Sequence, residues 1–163
     1  RRLFNDRLGQ AVKRAQRTSS SLALMFVDLD KFKPVNDTYG HAAGDFMLQT
    51  VAKRLSGCLR ASDTAARVGG DEFLVLLPDI PSGADALAVA EKIRSALAEP
   101  CISPDGIELC ISASIGIAIY PEHAGSEHEL LRLGDRAMYE AKSAGGNRVK
   151  LFSPEDGAGH SAA

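Results

Sequence analysis

Tryptophan is absent from this chain, aromatic residues make up only 6% of it, and cysteine occurs three times in 163 residues. The thiols are Cys58, Cys101 and Cys110. They form no Cys-x-x-Cys pair, which argues against a zinc ribbon, a paired-thiol redox motif and a disulfide framework. Cys101 and Cys110 flank the turn Ser103-Pro104-Asp105-Gly106. They are expected to face each other across a short hairpin, and all three cysteines to be buried free thiols of a reducing compartment. No apolar run approaches the ~18 residues of a membrane span, and no secretory leader is visible. The expectation is therefore a cytoplasmic domain that makes no membrane contact itself, whatever anchors its parent protein. The net charge of -2 lacks the basic excess of a nucleic-acid surface, so no nucleic-acid polymer is expected as a partner. The chain also lacks an initiator Met and opens directly in a helical pattern. It is expected to be a fragment of a longer multidomain protein.

What is present is ordinary for a globular domain: 45% hydrophobic and 25% charged residues, enough for one sizeable core. Helical periodicity marks Leu3 to about Arg17, Gly44 to Leu59, Ala84 to Ala98 and Glu127 to Ala144. Gly145-Gly146 punctuates the last of these. Leu22 to Val27 is a continuous apolar run suited to a buried central strand, and it ends in Asp28-Leu29-Asp30. A polar loop is expected after it, through Lys33-Pro34. Ala65 to Val68 and Phe73 to Leu77 pair as a hairpin around Gly69-Gly70, and Pro78 and Pro81 end it. Ile107 to Cys110 pairs locally with Cys101-Ile102. Ile111 to Tyr120 is a longer strand in which Gly116 marks a bulge or a close backbone approach. Val149 to Phe152 is the last strand. The order predicts an α/β (α+β) fold with a ferredoxin-like β-α-β-β-α-β core, a central mostly antiparallel sheet flanked by helices and one extra element. Residues 1–152 form the domain and 153–163 a flexible tail.

The hairpin tip Arg67-Val68-Gly69-Gly70-Asp71-Glu72-Phe73 carries the chemistry. A Gly-Gly pair signals a turn that exploits positive φ, but two adjacent carboxylates repel and need a cation. In the expected sheet the first strand and this hairpin are neighbours, so Asp28 and Asp71 converge. Such carboxylates suit Mg²⁺, a hard cation that prefers oxygen ligands and substrate phosphates, and a pair of such ions clamps phosphoryl or nucleotidyl transfer. Asp30 taken alone reads as a solvated turn residue. Between Asp30 and Asp45, Asn36 offers both donor and acceptor, and Asp45 can accept the adjacent N–H groups of a guanine edge. The competing reading is that Asp37 or Asp45 caps a helix, and spacing does not choose between them.

Five spaced motifs resemble the GGDEF, or diguanylate cyclase, family over roughly Leu3 to Phe152. They are Phe26-Val27-Asp28-Leu29-Asp30-Lys31-Phe32-Lys33; Asn36-Asp37-Thr38-Tyr39-Gly40-His41 with Gly44-Asp45; Arg67 to Phe73; Ser114-Ile115-Gly116-Ile117-Ala118; and Ala137-Met138-Tyr139-Glu140-Ala141-Lys142. The resemblance implies a nucleotidyltransferase in which two domains pair head to head as a homodimer. Each domain holds one GTP, and two GTP condense to cyclic di-GMP with release of two pyrophosphates. It implies Mg²⁺, with Mn²⁺ as a substitute, on Asp28, Asp71 and the Leu29 carbonyl. Asp71 is then the base on the 3′-hydroxyl, and Glu72 a weaker catalytic candidate beside the metal. Lys33 and Lys142 neutralise phosphate charge, Asn36 and Asp45 read guanine with His41 nearby, and Gly69 and Gly70 admit the nucleotide. Arg60-Ala61-Ser62-Asp63 matches the family's RxxD motif, which implies product inhibition through Arg60 and Asp63. One departure is Gly146, where the family often carries arginine. A raised KM for GTP is expected, to be lowered by Gly146→Arg, unless Arg148 substitutes. The alternative reading is a catalytically weak or silent domain that acts as a cyclic di-GMP or GTP receptor; silent members usually lose the acidic turn, which is intact here.

Overall fold

The apolar run that begins at Leu22 folds as the central strand of a five-stranded sheet, buried on both faces. The structure is a computed structural model and describes residues 1–154. The tail expected over 153–163 lies almost entirely outside them.

The elements are α1 (Arg2–Thr18), β1 (Ser21–Asp30), α2 (Phe32–Tyr39), α3 (His41–Gly57), β2 (Thr64–Arg67), β3 (Glu72–Ile80), α4 (Gly83–Ala98), β4 (Cys101–Ile102), β5 (Glu108–Leu109), β6 (Ser112–Tyr120), α5 (Glu127–Ser143) and β7 (Arg148–Leu151). The large sheet runs β2-β3-β1-β6-β7. Every pairing in it is antiparallel except β6 with β7, joined in parallel through α5. β1, β2, β3 and β6 are the ferredoxin-like core, and β7 is the added edge. β4 and β5 form the expected separate hairpin, but its register sets Cys101 opposite Leu109 rather than Cys110, and the free thiols are not buried: Cys58 and Cys101 are half-buried and Cys110 is exposed.

Strand alternation divides the core into two layers. Ala23, Met25, Val27 and Leu29 of β1 pack with residues of α2, α3 and α4. Leu22, Leu24 and Phe26 pack with α1 and α5. By the same alternation Asp28 and Asp30 belong to the α5 layer.

Four local expectations need correction or sharpening. The stretch after Asp30 is helix α2 rather than a loop. Pro34 sits in its first turn, where a missing N–H costs nothing. Pro78 does not end the hairpin, because β3 continues to Ile80 through a register shift opposite Ser21 and Ala23, with Asp79 at φ 53°. The Gly69-Gly70 turn does not use glycine's left-handed freedom: among the described residues the glycines at positive φ are Gly40, Gly106, Gly145 and Gly146. Gly116 marks a close approach and not a bulge, since the β1–β6 register is unbroken around it. A Cβ there would fall 2.1 Å from the Met138 nitrogen and 2.4 Å from the Gly134 oxygen, both backbone atoms of α5. α5 thus lies directly on β6.

Candidate active site

That close approach is what delivers Lys142. α5 begins with Ser126, whose hydroxyl accepts the Glu129 N–H at 3.2 Å. It ends in a Schellman motif: Gly146 N–H donates to the Ala141 carbonyl at 3.1 Å and Gly145 N–H to that of Lys142 at 3.2 Å. In this last turn the Lys142 ammonium reaches across to β1. It donates to Asp28 Oδ2 at 2.7 Å and, at 3.5 Å, to the Leu29 carbonyl.

Asp28 is held tightly. Its residue is 9% exposed. Burial raises its pKa above the ordinary 3.8, and the charges of Asp71 and Asp30 push the same way; the Lys142 hydrogen bond and charge oppose them. Its other oxygen, Oδ1, is buried with no hydrogen-bond partner. A buried carboxylate oxygen left unpaired is costly, and a hard cation is the partner it suits. Among the described residues no group of three or more His, Cys, Asp or Glu side chains clusters closely enough to hold a metal. The residues that could hold a cation are Asp28, Asp71 and the Leu29 carbonyl, an all-oxygen partial set. This set fits Mg²⁺ or Mn²⁺.

The acidic turn is braced from both ends. Leu29 N–H donates to the Asp71 carbonyl at 3.1 Å, and Val68 N–H to the Glu72 carbonyl at 2.9 Å. Arg67 Nε bridges the carbonyls of Gly69 and Gly70 at 3.0 and 3.1 Å. Glu72 stands opposite Asp28 on the β1–β3 ladder. A Cβ on Gly69 would sit 3.1 Å from the Glu72 carboxylate, whereas one on Gly70 would meet nothing within 4 Å. Of the two glycines, only Gly70 presents open backbone.

The polar set between Asp30 and Asp45 is brought together in part. Gly44 is buried, and a Cβ on it would land 1.7 Å from Asn36 Oδ1. Gly44 therefore cradles the Asn36 amide against the start of α3, beside Asp45. Asp45 lines a cleft of about 360 Å³ with Leu48, Leu55, Arg67 and Phe73. Its lining mixes these apolar side chains with the polar Gln49, Ser56 and Arg67 beside Asp45, a combination that can hold a polar heterocycle. No side-chain cap bond is made at the start of α2 or α3, so the capping reading of Asp37 and Asp45 is not what the structure shows. His41 opens α3 and Lys33 lies on α2; both are exposed.

Sequence reasoning passed over Asp30. It is not a solvated turn residue. Its carboxylate accepts from the hydroxyls of Ser112 at 2.7 Å and Ser114 at 2.6 Å, and from Asn147 N–H at 2.8 Å. It ties β1, β6 and the α5–β7 turn together. The acid two residues past Asp28, together with the alternating serines of β6, was the available signal. This tie also changes the reading of Gly146, which has φ 72° and whose Cβ would lie 2.9 Å from the Asp30 carboxyl atoms. An arginine there would adopt strained backbone and displace Asp30, so a gain from Gly146→Arg is not expected of this structure. Arg148 Nε is engaged with the Gly146 carbonyl at 3.1 Å.

Arg60 and Asp63 are together, but they are bonded to each other. The Asp63 carboxylate takes the Arg60 backbone N–H at 2.8 Å and its guanidinium at 3.0 Å, while the same guanidinium reaches the Pro78 carbonyl. The Asp63 side chain is 2% exposed and that of Arg60 57%.

The family model for the diguanylate cyclase GGDEF domain matches residues 1–148. The chain belongs to the GGDEF family. It is 48% identical over 142 residues to the diguanylate cyclase TpbB of Pseudomonas aeruginosa, covering 87% of this chain and 33% of that protein. It is 45% identical to diguanylate cyclase A of Treponema denticola over 131 residues, covering 80% and 35%. The chain thus spans about a third of the length of these curated relatives. The crystal structure of the TpbB GGDEF domain superposes with a TM-score of 0.92 at 45% identity, covering 94% of this chain and 95% of that one. That of the GGDEF domain of Caulobacter crescentus DgcB, in complex with c-di-GMP, superposes at 0.85 and 30% identity, covering 93% and 89%. Among the described residues no helix is long and apolar enough to cross a membrane.

Proposed function

We propose that this domain is a divalent-metal-dependent diguanylate cyclase. The observation that carries the reading is the unpaired, buried Asp28 Oδ1 beside Asp71 at the end of the central strand. The family membership and the 360 Å³ cleft at Asp45 support it. Guanine would enter that cleft, with Asp45 accepting its adjacent N–H groups and the Asn36 amide, held in place over Gly44, completing the reading. The triphosphate would then extend past the open backbone of Gly70 towards Asp28 and Asp71. Mg²⁺, held by these two carboxylates and the Leu29 carbonyl, would neutralise phosphate charge when bound.

In the reaction the 3′-oxygen of one GTP bonds to the α-phosphorus of another. The α–β phosphoanhydride breaks, pyrophosphate leaves with its bonding electrons, and Asp71 takes the hydroxyl proton. The same exchange in the opposite sense closes the ring. In this reading each domain holds one GTP, so the attacking hydroxyl would come from the nucleotide of a second copy, and a head-to-head homodimer would be the working unit. Lys33 and Lys142 would oppose the charge gathering on the phosphates. Cyclic di-GMP would dock at Arg60 and Asp63 and inhibit its own synthesis; the guanidinium is exposed for it, while Asp63 must first exchange its bond to Arg60.

The test is incubation of a concentrated sample with GTP and Mg²⁺, identification of nucleotide products, and repetition with Asp71→Ala. Cyclic di-GMP from the native chain and none from the variant supports the reading. No cyclic di-GMP from the native chain, with cyclic di-GMP or GTP still binding, would replace it with a receptor.

A further inference from the structure

The Lys142 ammonium sits on Asp28 Oδ2 at 2.7 Å and lies 3.5 Å from the Leu29 carbonyl, so it occupies the same carboxylate and carbonyl that a divalent cation would use, while Asp28 Oδ1 stays unpaired. Lys142 is the positive partner paired with Asp28 where Asp30 and Asp71 also press on that carboxylate. We propose that Lys142 is a built-in counter-cation of the metal site, released to the nucleotide's phosphates when a divalent ion takes Asp28, so that ion and nucleotide bind cooperatively. This rests on the reading of Asp28 and Asp71 as the metal-binding pair.

The physical case has three parts. First, Asp28 is buried at a strand end with its Oδ1 unpaired, the negative charges of Asp71 and Asp30 act on it, and the Lys142 ammonium at 2.7 Å is the positive charge that offsets them. Lys142 holds the Asp28 carboxylate in place. Second, Lys142 is suited to leave. Its side chain is 39% exposed, and an ammonium on a four-carbon stem is a compact charge that can swing while its helix stays still. An arginine forked onto Asp28 would be harder to displace. Third, a divalent ion arriving alone must evict Lys142 into solvent and receives nothing in return. An ion arriving with a triphosphate offers the ammonium a new anionic partner. The coupling is therefore carried by one side chain with two alternative seats, which is the physical requirement for linkage between two ligands.

Mn²⁺ binding, followed through the paramagnetic resonance signal of the free ion, tests this without turnover. The native chain, Lys142→Met and Asp28→Asn are titrated with Mn²⁺ alone and then with Mn²⁺ and a non-hydrolysable GTP analogue. Lys142→Met is expected to bind Mn²⁺ alone about tenfold more tightly than the native chain, and the analogue's enhancement of Mn²⁺ affinity is expected to shrink by a similar factor. Equal or weaker binding of Mn²⁺ alone by Lys142→Met, with binding lost in Asp28→Asn, overturns the counter-cation role and leaves the metal site standing. Mn²⁺ binding undiminished in Asp28→Asn overturns the metal site itself. Should Lys142→Met prove poorly folded, thermal melting of Lys142→Gln supplies the same answer. Mn²⁺ should raise its melting temperature by more than it raises that of the native chain, and an equal or smaller rise refutes the proposal.

Discussion

Replacing Gly116 by alanine should move a helix. The new Cβ would meet the Met138 nitrogen at 2.1 Å, the Gly134 oxygen at 2.4 Å and the Ala137 carbonyl carbon at 2.7 Å, all main-chain atoms of α5. Ordinary contact begins near 3.4 Å, and backbone cannot rotate aside as a side chain can, so α5 must retreat by about 1 Å. Overpacking of this kind costs about 2–3 kcal/mol, which for a domain of this size lowers the melting temperature by about 5–10 °C. The retreat carries Lys142 away from Asp28, now 2.7 Å distant. A misplacement near 1 Å at a reacting site reduces turnover by about 10- to 100-fold. Differential scanning calorimetry and a GTP-to-cyclic-di-GMP assay read the two effects. The control is Gly57→Ala at the end of α3, where an added Cβ meets nothing within 4 Å; it should be neutral or slightly stabilising. If Gly116→Ala melts within about 2 °C of the native chain, the claim that α5 is seated directly on β6 at this glycine is wrong.

Arg60→Ala should relieve inhibition by cyclic di-GMP while leaving the uninhibited rate within about twofold, because Arg60 touches none of the catalytic strand ends; an unchanged inhibition constant refutes the RxxD assignment. Arg54 donates to the carbonyls of Ala96, Glu99 and Pro100, closing the C-terminus of α4. Arg54→Ala should cost about 1–3 kcal/mol in urea denaturation, and Arg54→Lys, lacking the fork, should recover less than half of it. Burial lowers the pKa of His123 below its ordinary 6.5, against a smaller opposing pull from Glu122, and its Nδ1 accepts the Ile119 N–H. The folded state refuses a proton that the unfolded state accepts, so this contribution is whole above pH 6.5 and declines as pH falls below it. Urea midpoints taken from about pH 7.5 down to about 5.5 should show that decline, and His123→Asn should flatten it; identical slopes for the two proteins would exclude His123 as the cause.

The strands and long helices were legible because their signals are local: an apolar run for β1, 3.6-residue periodicity for α1, α3, α4 and α5, a glycine pair closing α5. Asp28 and the acidic turn were legible because strand order alone makes β1 and β3 neighbours. Helix α2 was obscured by Pro34, which breaks helices in general but is harmless in a first turn. The positive φ at Lys31 and Asp79 carries no compositional mark. Asp30 was misread because its partners, Ser112 and Ser114, are some eighty residues away, and only the β1–β6 register reveals them. Lys142 was marked for phosphate by resemblance. That it rests on Asp28 follows from the seating of α5 on β6 at Gly116, which no spacing encodes.

β1 is apolar towards both core layers, and this has a consequence for how the fold is chosen. A strand with one greasy side punishes a one-residue slip by turning that side to water. Here a slip would exchange Leu22, Leu24 and Phe26 for Ala23, Met25 and Val27, apolar on either side, and burial would hardly distinguish the outcomes. What does distinguish them is the hydrogen-bonded group of Asp30, Ser112 and Ser114 and the notch at Gly116 opposite Phe26. The oily residues make the strand bury itself; the polar ones and a single glycine decide which way up it lies. A slipped strand would turn Asp28 away from Lys142, so correct threading and a complete site are the same event.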